Sequence, residues 1–262
     1  MYIVWEEKPM RKCISIIYYE YIMQQKRIVA WGVLVATCVI SLIDNLPTER
    51  NLVRLEFLSE PAYFMYRTMS IDALVMTFGL MFLLSNRIPH DRKTGVKSMV
   101  MASPITKGQY ICGKLLGGFL YTCTMLALFL TMNILAYIMA SPIDVSLMDC
   151  FVPLIKTLIV SVLPVSVFIS FTSVALPAVM DIRLFYLLGS VLFFVNAFSV
   201  GSAGPMPFYL ITSGDLIKLI WNNPGWPFTN TGSIQANLIF LVGGGLLAGL
   251  QLFLKRRFWR TE

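Results

Sequence analysis

Charge is scarce in this chain and histidine nearly absent. Asp, Glu, Lys and Arg together make 13% of 262 residues, and His90 is the single histidine. A soluble domain carries about a quarter charged residues, so an ordinary water-facing surface is excluded. One histidine leaves no His-based ligand set for zinc, and neither Cys nor carboxylates cluster to replace it. The five cysteines, Cys13, Cys38, Cys112, Cys123 and Cys150, leave Cys150 alone near the side read below as external. No external disulfide framework follows from that distribution.

What the chain has instead is apolar length, with 57% hydrophobic residues. A helix crosses about 30 Å of hydrocarbon in about 20 residues, and six runs approach or exceed that length. They are Ile28 to Leu46, Met69 to Ser85, Ile111 to Ala140, Val152 to Val174, Leu184 to Val200 and Ala236 to Leu254. None alternates with period two, so barrel strands are excluded. The expectation is an all-α integral membrane protein with six transmembrane helices, one domain over residues 1–262. The third run is the longest and must tilt or begin below the membrane surface. Pro153, Pro164 and Pro177 should bend the fourth, and Gly245 with Gly249 should let the sixth pack closely. Asn133, Asn196, Thr131, Ser161, Ser166, Ser170 and Ser190 are expected to hydrogen bond between helices.

Lysine and arginine set the orientation. Lys8, Arg11, Lys12, Lys26, Arg27, Arg87, Arg92, Lys93, Lys97, Lys107, Lys114, Arg183 and Lys255 to Arg257 fall on one face. By the positive-inside rule that face is cytoplasmic, with both termini inside a bacterial plasma membrane. The net charge of +7 is spread over helix ends rather than gathered on one soluble surface, so nucleic acid is not an expected partner. Membrane lipid is.

Several motifs fail on their chemistry. Gly108 to Lys114 has the spacing of a phosphate-binding loop, but Leu115 stands where Mg²⁺ needs Ser or Thr, and a membrane span follows. Lys114 reads instead as a lysine snorkelling to the headgroups. "VATC", Val35 to Cys38, is no lipidation box, because the apolar run continues behind it. "GSAG", Gly201 to Gly204, has no base in reach, since His90 lies on the opposite side. Neither Asp72 nor Asp215 sits mid-span, and Asp215 lacks the Gly-x-Gly-Asp context of an intramembrane aspartyl protease. No catalytic residue is expected.

The segment between the second and third runs is longer than a turn requires. It holds a basic cluster, "VKSMVMA", and a Ser-Pro break. Val96, Met99 and Val100 share a helical face edged by Lys93 and Lys97, and Ser103-Pro104 should end that helix. The order Asp91-Arg92, Thr94-Gly95, apolar helix, Ser103-Pro104, then Gly113-Lys114 resembles the cytoplasmic loop of ABC-2 type permeases, the membrane subunits of bacterial ABC exporters. The family usually has Glu where Asp91 stands.

That resemblance implies a whole layout. Residues 10–27 would form an interfacial connecting helix with Met10, Ile14, Ile17, Tyr18 and Tyr21 on its apolar side and Glu20 elsewhere. Residues 87–110 would form a loop that couples to a separate ATPase through Asp91, Arg92, Thr94, Gly95, Val96, Met99, Val100, Ser103 and Pro104. Residues 201–234 would form an external re-entrant or interfacial segment. The chain would bind no cofactor itself; ATP and Mg²⁺ would sit on the ATPase subunits, and a second permease protomer, identical or homologous, would complete the complex. In the family the second and fifth spans of two protomers face a central path, which here holds Met76, Phe78, Phe82, Phe193, Phe194, Asn196 and Phe198. Aromatic and methionine surfaces suit amphipathic or hydrophobic cargo such as a peptide antibiotic, lipid or drug, which would make drug resistance a role. The runner-up reading is a non-transporting ABC-linked sensor or scaffold.

Overall fold

The computed structural model describes residues 9–102, 105–140, 145–199 and 234–255. Every regular element among them is helical. In chain order they are α1 (Pro9–Gln25), α2 (Ile28–Asn45), α3 (Glu49–Arg54), α4 (Pro61–Arg67), α5 (Ala73–Ser85), α6 (Arg87–Lys93), α7 (Val96–Ala102), α8 (Lys107–Ala140), α9 (Leu147–Thr157), α10 (Leu163–Val179), α11 (Ile182–Ser199), α12 (Ile234–Leu238) and α13 (Gly244–Leu254).

Among the described residues, four helical runs are long and apolar enough to cross a bilayer: Ile28–Asn45, Lys107–Ala140, Leu147–Val179 and Gln235–Leu254. The run Ile182–Phe198 is apolar but shorter. The second run expected from sequence lies in a helix whose parts are α4, a π-helical turn at Thr68–Asp72, and α5. The external segment expected at 201–234 falls almost wholly outside the described residues, as do Ser103, Pro104 and Asp215. The chain is a helical membrane protein.

Bundle packing follows from small residues and bends. The 34 residues of α8 extend for about 50 Å at 1.5 Å per residue, longer than a bilayer core, and α8 is the axis on which α1, α2 and α10 pack. A π-helical turn at Leu158–Val162 sits between α9 and α10, directly before Pro164. Proline lacks the N–H that the preceding turn would use, which accords with the break in α-helical hydrogen bonding just before it. Gly245 and Gly249 lie close against Val167, Phe168 and Phe171 of α10 as expected, with the Val167 carbonyl 3.1 Å from where a Gly245 side chain would begin.

Several polar groups inside the runs bond within their own helix: Asn133, Thr131, Thr172 and Asn196 donate to carbonyls one turn back at 2.6–2.8 Å, and Asn133 also donates across to Cys38 Sγ of α2 at 3.9 Å. A carbonyl one turn back is always within reach of a helical Thr or Asn, whereas a partner on another helix needs registry. Ser161, Ser166 and Ser173 are buried with no protein partner for the hydroxyl.

Candidate functional site: a buried charge cluster beneath the loop

The first departure from sequence logic is α1. Its apolar residues Ile14, Tyr18 and Tyr19 are exposed, whereas Glu20 and Gln24 are buried. In water an amphipathic helix turns its apolar stripe to the core; in a membrane protein lipid receives that stripe and the bundle interior takes the charge. α1 therefore packs along α8 instead of lying only on the surface. Gly113 and Gly117, one turn apart on α8, make the close approach possible. A side chain at Gly117 would start 2.7 Å from Glu20 Cβ and 3.1 Å from the Ile17 carbonyl. Gly113, one of the two glycines with phosphate-loop spacing, thus has a packing role against Ile16 of α1.

The approach delivers Glu20 into a cluster of charges from three helices. Arg87 of α6 donates from Nε to Glu20 Oε1 at 2.6 Å. Lys114 of α8 donates to Glu20 Oε2 at 2.6 Å and reaches Asp91 Oδ2 of α6 at 2.8 Å. The Tyr110 hydroxyl donates to the same Asp91 oxygen at 2.6 Å, and Gln24 Nε2 donates to Glu20 Oε1 at 2.9 Å. Glu20, Arg87 and Asp91 are each 3% exposed and Lys114 6%. Two anions face two cations, so the cluster is neutral and each charge is matched on contact. That is the condition under which ionised groups survive burial.

Lys114 is thus no snorkelling lysine. Its ammonium turns inward because two carboxylates are nearer than the headgroups. Burial alone would raise the Glu20 carboxyl, but Lys114 and Arg87 more than offset that and hold it below the usual carboxylate range.

The loop rises directly from this cluster. α6 contributes Arg87 and Asp91 inward, while Arg92, Lys93 and Thr94 are exposed. Gly95 follows at φ 75°, a left-handed conformation that side-chain-bearing residues rarely adopt, and it reverses the chain into α7. Within α7, Val96 is 38% and Met99 72% exposed; the side chain of Val100 lies outside the described residues. Beyond the loop, Lys107 Nζ donates to the Phe253 carbonyl at 2.6 Å and Lys255 Nζ to the Val179 carbonyl at 2.9 Å. These two lysines tie the start of α8 to the end of α13, and the end of α13 to the end of α10, by capping carbonyls that helix ends leave open.

The residues proposed for a central path divide into two groups. Phe78 stacks on Phe193 at 4.2 Å and Phe82 on Tyr186 at 4.8 Å, so these rings join α5 to α11 within one chain. Met76 is fully buried, and Asn196 is buried with its amide on the Leu192 carbonyl. Phe194 and Phe198, 53% and 81% exposed, turn away from the chain. No cluster of three or more His, Cys, Asp or Glu able to hold a metal occurs among the described residues.

Sequence reading found Asp91 but missed Glu20 and Arg87. A weak signal existed: Glu20 stands in a run of Ile and Tyr where nothing local neutralises it, and an unmatched charge beside a membrane asks for a distant partner. No protein-family model, curated protein or solved structure matches this chain.

Proposed function

We propose that the chain is the permease subunit of an ATP-driven exporter of the ABC-2 type, moving an amphipathic or hydrophobic substrate out of the cytoplasm. A separate ATPase would dock on the exposed face of α7. One observation carries this reading: the buried cluster of Glu20, Arg87, Asp91 and Lys114 joins the base of the loop rigidly to α1 and α8. A loop that merely connected two spans would need no such anchor. A loop that transmits a push must not slip against the helices it moves, and a matched set of buried ion pairs resists slipping because separating any one leaves a charge uncompensated.

The order of motifs along the loop supports the same reading. Asp91 anchors, Gly95 turns, and Val96 and Met99 present apolar surface beside the basic residues Arg92 and Lys93. Apolar centre with charged rim is the composition of a protein interface. The exposed Phe194 and Phe198 of α11 supply the surface for apolar cargo or for the second protomer.

The test is reconstitution. The chain, purified with its co-isolating ATPase and placed in liposomes, should move a labelled amphipathic peptide or lipid only when ATP is hydrolysed. Substrate-stimulated hydrolysis without movement would assign the chain to sensing, and a preparation in which no ATPase accompanies the chain would remove the permease reading.

A further inference from the structure

At the bundle end opposite the loop, one carboxylate inside an apolar run meets no cation. Asp72, 2% exposed, closes the π-helical turn Thr68–Asp72. Its Oδ2 accepts from Ser41 Oγ at 2.8 Å and from Asn45 Nδ2 at 2.5 Å, both neutral donors on α2. Oδ1 accepts from no described residue. The charged groups facing it are Asp44 from α2 and Arg67 from α4, while α5 carries none. Arg67 is held one step away, with Nε on Asn45 Oδ1 at 3.0 Å and Nη2 3.3 Å from Asp44. Glu20, by contrast, touches two cations.

We propose that Asp72 is a proton-binding site of the membrane bundle, taking a proton at Oδ1 and returning it toward the end opposite the loop. The carboxylate accepts a proton from hydronium and leaves water; no electrons move. Three features fit that role. Ionisable groups within spans are costly and are kept where they work. π-Helical turns inside α-helices are frequent at functional sites. In the same turn, Thr68 is fully buried with Oγ1 bonded to no protein group, the setting in which a buried water completes a polar site. The chain of polar groups from Asp72 through Asn45 and Arg67 reaches Asp44 and Arg54, which are 35% and 53% exposed. Protonation weakens the acceptor that Ser41 and Asn45 share, so the site links proton occupancy to the contact between α2 and the π-helical turn. The proposal concerns this chain alone and stands apart from the exporter reading.

The experiment is infrared titration of the full chain in lipid nanodiscs with ¹³C on the aspartate side-chain carboxyl. Between about pH 8 and about pH 5, the range in which a free aspartate stays ionised, a protonated carboxyl band should grow and carry the isotope shift. It should be absent in Asp72→Asn and retained in Asp44→Asn. Should Asp72→Asn fail to fold, Asp72→Glu keeps a carboxyl in place, and its band should lose the isotope shift. No labelled band in that range, a labelled band that survives either Asp72 variant, or one that disappears in Asp44→Asn overturns the proposal.

Discussion

Glu20 and Arg87 stand 67 positions apart in the chain and 2.6 Å apart in space, both almost wholly buried. Their pairing fastens the N-terminal helix to the first helix of the loop. Because Lys114 completes the same carboxylate from a third helix, the contact is a joint rather than a bond between two neighbours.

Removing the joint's centre should be costly. Breaking a buried ion pair from one side costs about 3–5 kcal/mol, so Glu20→Gln and Lys114→Met should each lower the unfolding midpoint in detergent micelles strongly. Residues in one network do not add, and the double variant should lose clearly less than the sum. Additive losses would mean that the two side chains do not share an interaction.

The same carboxylate sets an acid limb. Glu20 is held below its unfolded value, so its contribution is fully present above the ordinary carboxylate range of about 4.3 and fades as pH falls through the lower folded value. Wild type should lose stability below about pH 4, and Glu20→Gln should flatten that part of the profile. Midpoints measured from pH 7 downward decide it, and an unchanged acid limb in the variant would place the titration elsewhere.

Gly117 governs how near α1 comes to α8. A branched side chain there meets Glu20 and the Ile17 carbonyl, and overpacking costs about 1–3 kcal/mol. Gly117→Val should therefore destabilise and raise protease cleavage after Lys12 or Lys26, while Gly108→Ala, with open space around it, should do neither.

Loop docking is tested at Met99. Met99→Asp would bring a charge into any apolar interface formed by α7, so transport and ATPase association should be lost while membrane insertion and thermal midpoint stay at wild-type level. Full transport in this variant would move the docking surface off α7.

Orientation can be read with single cysteines in whole cells. Val53, 91% exposed on α3, should react as Val53→Cys with an impermeant thiol reagent, and Thr94→Cys on the loop should not. Reversed labelling would invert the reading of lysine and arginine distribution on which the loop's cytoplasmic placement rests.

The apolar runs and the close packing at Gly245 and Gly249 were legible because each depends on local chemistry: side-chain hydropathy and a missing Cβ. The cluster was only half legible. Asp91 stood out within a patterned loop, yet the pairing of Glu20 with Lys114 depends on two helices 94 positions apart meeting in register, which no local pattern encodes. The orientation of α1 inverted for a physical reason as well. Periodicity identifies which face is apolar, and in a bilayer that leaves open whether lipid or protein covers it. The aromatic residues of α5 and α11 illustrate the same limit: composition marked Phe78, Phe193 and Phe194 alike, but stacking uses the first two internally and leaves the third outside.

The parallel seating of α1 on α8 has a consequence for biogenesis. On the ribosome, Glu20 emerges long before Arg87 and longer still before Lys114, and until both have been made its carboxylate has no counter-charge. α1 must therefore wait in the aqueous edge of the membrane while two apolar runs are inserted and α8 begins to emerge, then dock as a finished helix against the glycines of α8. A chain halted before Lys114 would leave α1 undocked and open to proteolysis, and the arrival of that one lysine would mark the moment at which the N-terminal end closes.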